Sequence, residues 1–143
     1  MANERPTPPD AAIADAVDAA LSAISPVASV LACWVFGSRA GDSYQRESDL
    51  DIAVLCTRPL SELEAFNAAQ SIATALSLDV DLVDLRRASG VLAMEVVLKG
   101  RRIRCRDDFA AELFATTRFS EHVSFSEQRA PIVESFLRAR KAV

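Results

Sequence analysis

Asp49 and Asp51 are separated by one residue and follow the pair Gly37-Ser38 across a ten-residue gap. Alternation along Ser48 to Leu55 places both aspartates on one face of a strand, with Leu50, Ile52 and Val54 on the other. Aspartate is disfavoured in strands, and two like charges on one face repel, so a positive group belongs between them. Hard carboxylate oxygens suit magnesium. A third strand-like run, Leu78 to Leu85, carries Asp79 and Asp81 on one face and Asp84 on the other. Asp81 is the preferred third carboxylate, although Asp79 shares its face. Three carboxylates around one or two magnesium ions form a device for in-line displacement at phosphorus.

The Gly-Ser turn supplies the complementary half. Gly37 lets a backbone N–H approach a phosphate closely, and Ser38 adds a hydroxyl donor. Arg39 offers a charge-assisted bond to the same phosphate, or else faces solvent. A nucleotide's phosphate chain would lie between this turn and the metal, where positioning and charge neutralisation do most of the catalytic work.

The elements that must hold these groups alternate along the chain. Asp10 is placed as an N-cap for a helix whose stripe is Ile13, Val17, Leu21 and Ile24, and Pro26 stops it. Val30 to Phe36 is a buried strand closed by Gly37. Ser61 and Glu64 have capping-box spacing before a stripe of Leu63, Phe66, Ala69, Ile72, Ala73 and Leu76. Ser89 caps a short helix reaching Leu98, with Gly100 as its C′ residue. Arg101 to Arg106 alternates as an edge strand with Ile103 and Cys105 on its apolar face. Asp107 or Asp108 opens a helix to about Thr117, and a last helix spans about Ser126 to Arg140. The expected fold is therefore α/β in the α+β sense: a small mixed sheet flanked by helices, with a C-terminal helical tail. Residues 1–9 form a flexible N-terminus and 10–143 one domain, with a catalytic core over about 28–106 and helices over 107–143.

These residues resemble the polymerase-β-like nucleotidyltransferases, and the short chain resembles their minimal MNT-domain branch. The resemblance is carried by Phe36-Gly-Ser-Arg-Ala, Ser48-Asp-Leu-Asp-Ile, Val80-Asp-Leu-Val-Asp-Leu-Arg-Arg and Val91-Leu-Ala-Met-Glu-Val-Val-Leu-Lys-Gly-Arg, and it covers about residues 28–140. Many such proteins are antitoxins paired with a HEPN-domain ribonuclease toxin. The resemblance then implies transfer of AMP from ATP to a tyrosine hydroxyl of that toxin. It implies Gly37 and Ser38 at the phosphate, Asp49 and Asp51 on magnesium, and Asp81 as the third carboxylate, helping to activate the attacking hydroxyl. Two alternatives stand beside it. One is an antitoxin that acts by binding alone, and the other is a nucleotidyltransferase of small molecules such as aminoglycosides.

Composition narrows the field further. The 143 residues and 50% apolar content suit one ordinary globular core. The net charge of −4 makes a poor non-specific nucleic-acid binder, and no run approaches the length of a membrane helix. That charge conceals a split. Residues 1–85 hold 13 acids and 4 bases, whereas residues 86–143 hold 7 acids and 12 bases. The run Arg86, Arg87, Lys99, Arg101, Arg102, Arg104 and Arg106 reads as a solvated face, or as one that helps to dock an acidic partner or the nucleotide. Cys33, Cys56 and Cys105 form no CxxC pair, and His122 is the only histidine, which argues against zinc and for buried thiols in a reducing cytoplasm. Little chain is left over for an acceptor domain, so a partner protein would complete the pocket. Phe109, Leu113, Phe114, Phe119 and Phe136 offer it apolar surface, although most of them pack inward.

Overall fold

A computed structural model describes residues 6–24, 29–41 and 49–123. The expected last helix, together with Pro26, lies outside the described residues. Helices α1 (Asp10–Ile24), α2 (Glu62–Leu76), α3 (Gly90–Lys99) and α4 (Asp108–Val123) surround strands β1 (Val30–Phe36), β2 (Leu50–Cys56), β3 (Val80–Asp84) and β4 (Arg101–Cys105). The strands form a mixed sheet in the order β3-β2-β1-β4. β1 is antiparallel to both neighbours, while β2 and β3 are parallel and are joined by α2. The fold is α+β, as the alternating pattern predicts.

Sheet pleating sends alternate residues into two cores. Leu50, Ile52, Val54 and Cys56 of β2 join Cys33 and Val35 against Ile13, Val17 and Leu21 of α1 and Ala68 and Ile72 of α2. Trp34, Phe36, Ala53 and Leu55 face the other way, against Ala93 and Val96 of α3 and Ala111 of α4. Asp51 shares this second parity, so the hydrophobic pattern of β2 alone dictates which face carries the carboxylate.

Several boundaries differ from the sequence reading. β2 runs Leu50–Cys56, so Cys56 is inside the strand and Asp49 just before it. β3 is shorter, Val80–Asp84, although the Leu85 N–H still donates to the Val54 carbonyl at 2.9 Å. Asp10 is the first helical residue rather than a cap, and Asp107 accepts from the Ala110 N–H at 2.9 Å and caps α4, which continues past Thr117. Gly100 is extended, not left-handed; the glycine is needed because a Cβ there would lie 2.5 Å from the Val96 carbonyl oxygen.

Two apolar faces also shift. A β-bulge inserts Ile103 between the Arg104 and Arg102 pairings, so Ile103 packs toward α1 while Cys105 packs on the α3–α4 side. In α2 the buried stripe is Ala65, Ala68 and Ile72, and Leu63 and Phe66 are 68% and 60% exposed. α1 contributes Ala14 and Ala20 to the same contact, and small residues on both helices allow a close approach that larger ones would prevent. The capping box at Ser61 forms as expected, with Ser61 and Glu64 each satisfying the other's backbone N–H. Phe119 is buried and Phe114 packs on the sheet, whereas Phe109 and Leu113 remain exposed.

Candidate active site

The site assembles where β1 ends and β2 begins. Phe36 pairs with Asp51 across the antiparallel ladder, and Asp51 pairs with Asp81 across the parallel one. In-register neighbours in a sheet project to the same face, so Asp51 and Asp81 stand side by side on the α3–α4 side. Asp79 lies before β3 with its side chain exposed, and its carbonyl accepts from the Leu50 N–H at 2.9 Å. Register therefore puts Asp81, not Asp79, beside Asp51. Asp84 sits on the opposite face, buried, and accepts from the Leu60 N–H at 2.8 Å and the Arg86 N–H at 3.0 Å. Its work is to hold the turns that follow β2 and β3.

Directly after Phe36 the chain forms a 3-10 turn over Gly37–Ala40. Gly37 has φ of 71°, a left-handed conformation that a side chain resists. A Cβ there would also fall 2.1 Å from Asp51 Oδ2, inside any tolerable contact. Both constraints require glycine, and together they press the backbone of the turn against the carboxylate. Gly37 and Ser38 are exposed. Arg39 is not: it is 1% exposed and donates from Nη1 to Thr7 Oγ1 at 3.1 Å. Its guanidinium points back under the N-terminal segment rather than outward beside Ser38.

Charge is concentrated here. Burial pushes the Asp51 carboxyl above the usual aspartate range, and Asp81 and then Asp49 push it further. Asp49 and Asp81, both exposed at the rim, thus act on the half-buried Asp51. Among the described residues, no three His, Cys, Asp or Glu side chains converge on a common point as a ready ligand set. The thiols lie elsewhere, and burial pushes those of Cys33 and Cys56 up to about 12.

The basic run is largely spent on internal acids. Arg104 pairs with Asp15 and Asp18, Arg106 with Asp18, and Arg102 with Asp108 and Glu112. Arg101 pairs with Asp10 and also donates to the Ala40 carbonyl at the end of the 3-10 turn. Sequence reasoning missed this last contact, because nothing local to Arg101 points to a carbonyl 61 positions away.

The glycine-built turn and the paired strand carboxylates lie where the resemblance to nucleotidyltransferases puts them. The comparisons agree: the chain belongs to the polymerase-β nucleotidyltransferase family, whose model matches residues 22–109. The protein adenylyltransferase MntA of Shewanella oneidensis is 39% identical over 106 residues, covering 73% of this chain and 74% of that protein. A chain from a toxin–antitoxin structure with AMP-PNP superposes with a TM-score of 0.69 at 33% identity, covering 86% of this chain and 97% of its own. The structure of a tri-AMPylated Shewanella oneidensis HEPN toxin in complex with MNT antitoxin gives 0.66 at 30% identity, covering 90% and 99%. Among the described residues, no helix is long and apolar enough to cross a membrane.

Proposed function

We propose that this protein is a magnesium-dependent adenylyltransferase that silences a cognate HEPN ribonuclease toxin by moving AMP from ATP to a toxin tyrosine. The observation that carries the reading is the contact of the Gly37 turn with Asp51 while Asp81 stands in register beside it. The relatives named above supply the substrate class and partner. Asp49, Asp51 and Asp81 would hold one or two magnesium ions, which neutralise phosphate charge and orient the nucleotide. Burial raises the Asp51 carboxyl, the charges of Asp81 and Asp49 raise it further, and a bound cation would offset that like charge.

The backbone N–H groups of Gly37 and Ser38, with the Ser38 hydroxyl, receive the phosphates. A tyrosine oxygen then bonds to the α-phosphorus while the α–β bridging P–O bond breaks and pyrophosphate leaves. Asp81, exposed on the edge strand β3, would take the phenolic proton. Arg39 is given no role at the phosphate, because its guanidinium is buried behind the turn. Three free cysteines, two of them buried, suit a cytoplasmic setting.

The test is toxin labelling from ATP with magnesium. Asp51→Asn is expected to lower the rate by at least about 100-fold, the scale of losing one electrostatic stabiliser of a phosphoryl transition state, with the fold retained. Undiminished labelling would remove Asp51 from the mechanism. Toxin rescue in cells by an Asp49→Asn, Asp51→Asn double variant would show that binding alone neutralises the toxin.

A further inference from the structure

The phosphate turn is gripped from behind by residues far away in sequence. Arg101 opens β4 opposite Val35, one residue from Phe36, where the turn departs. Its Nη1 donates to the Ala40 carbonyl, the last in the 3-10 turn. Its Nε and Nη2 reach the Asp10 carboxylate at 3.3 and 3.0 Å, a side-on pairing with the first residue of α1. Arg39 leaves the turn in the same direction and donates to Thr7, three residues before Asp10. The two ends of the turn are therefore held differently. Gly37 is pressed on Asp51, and Ala40 is tied through Arg101 to the start of α1.

We infer that Arg101, held by Asp10, is a positioning residue for nucleotide binding, which rests on the nucleotide reading above. It acts by fixing the turn whose N–H groups meet phosphate and does not itself touch the nucleotide. A planar guanidinium suits this task, since one fork can serve a carbonyl and a carboxylate together, whereas a lysine ammonium cannot hold both in fixed directions. The ion pair is half exposed, so its loss leaves the core untouched. In the sequence Arg101 is one of a row of bases that suits a solvated face or the docking of an acidic partner or the nucleotide, with nothing to single it out. Its neighbour Arg104, on the same strand, is paired with Asp15 and Asp18 and makes no bond to the turn.

Full-length wild type, Arg101→Ala, Arg101→Lys, Asp10→Asn and Arg104→Ala are compared in two measurements. The first is amide hydrogen exchange of peptides spanning residues 37–41. Arg101→Ala should accelerate exchange there by about tenfold, with Asp10→Asn intermediate and Arg104→Ala unchanged. The second is magnesium–ATP binding and transfer kinetics. Arg101→Ala should weaken ATP binding by about tenfold, with KM for the protein acceptor within about twofold of wild type. Arg101→Lys should recover only part of the affinity, because charge alone does not fix the turn. Exchange in Arg101→Ala equal to that in Arg104→Ala overturns the clamp. So does full recovery by lysine. A loosened turn with unchanged ATP affinity overturns its role in binding. Failure of the wild-type protein to bind ATP overturns the nucleotide reading itself, and the clamp's role in binding with it.

Discussion

Asp51 carries its charge against its surroundings. Burial first, then Asp81 and Asp49, raise its pKa above the ordinary aspartate value. For an acid, a folded pKa above the unfolded one means that the charged form is less favourable in the fold than in the unfolded chain. Asp51 therefore subtracts stability at neutral pH, and the loss fades as pH falls through the raised value. Asp51→Asn should raise the thermal midpoint by on the order of a few degrees at pH 7 without divalent ions, and by little in acid. Magnesium should stabilise the wild type and leave the variant unmoved, since a ligand stabilises only what it binds. Calorimetric scans across pH, with and without magnesium, check both. Equal stabilisation of variant and wild type by magnesium would place the ion elsewhere.

Among the elements, β2 carries the most information, because one strand holds a core stripe on one face and Asp51 on the other. It is kept in place at its far end by Asp84, which accepts from the Leu60 and Arg86 N–H groups, while Arg86 donates from Nε to the Cys56 carbonyl. Asp84→Ala would leave two N–H groups without their acceptor and should cost about 2 kcal/mol, read as a lower urea midpoint at unchanged slope. Asp84→Asn keeps an acceptor oxygen and should lose less. AMP transfer at temperatures where the variant is folded should persist, because Asp84 lies on the face opposite Asp51. The rotation of α2 belongs to this scale too. Periodicity alone favoured Leu63 and Phe66 for the core, but the α1–α2 contact selected the alanine stripe.

Across the whole molecule, the acidic first part and the basic second part close on each other. Asp10, Asp15 and Asp18 on α1 face Arg101, Arg104 and Arg106 on and after β4, with Asp18 shared by two arginines at 2.6 and 2.7 Å. This pairing engages much of the basic half internally, while Asp49, Asp51 and Asp81 stand together at the start of β2 and β3. Networks of this kind contribute modestly and are screened by salt. Asp18→Asn should destabilise by about 1 kcal/mol at low ionic strength, and by clearly less in about 1 M salt. Urea unfolding at the two salt concentrations measures the difference, and a salt-independent loss would assign Asp18 a packing role instead.

Local chemistry was legible from the residues themselves. Alternation placed Asp51 opposite Leu50 and Ile52, and Ser61 with Glu64 announced a helix start. The Gly-Ser pair announced a turn whose glycine is confirmed by φ of 71°. Those features depend on neighbours within a few positions, and periodicity reports them. The sequence favoured Asp81 over Asp79 but could not place it; the tertiary structure sets it beside Asp51, because a parallel register is fixed between strands joined only through α2. It alone turned Arg39 inward to Thr7 and brought Arg101 to Ala40, contacts that span 32 and 61 residues. Such contacts follow from strand order and helix packing, which a one-dimensional pattern does not contain.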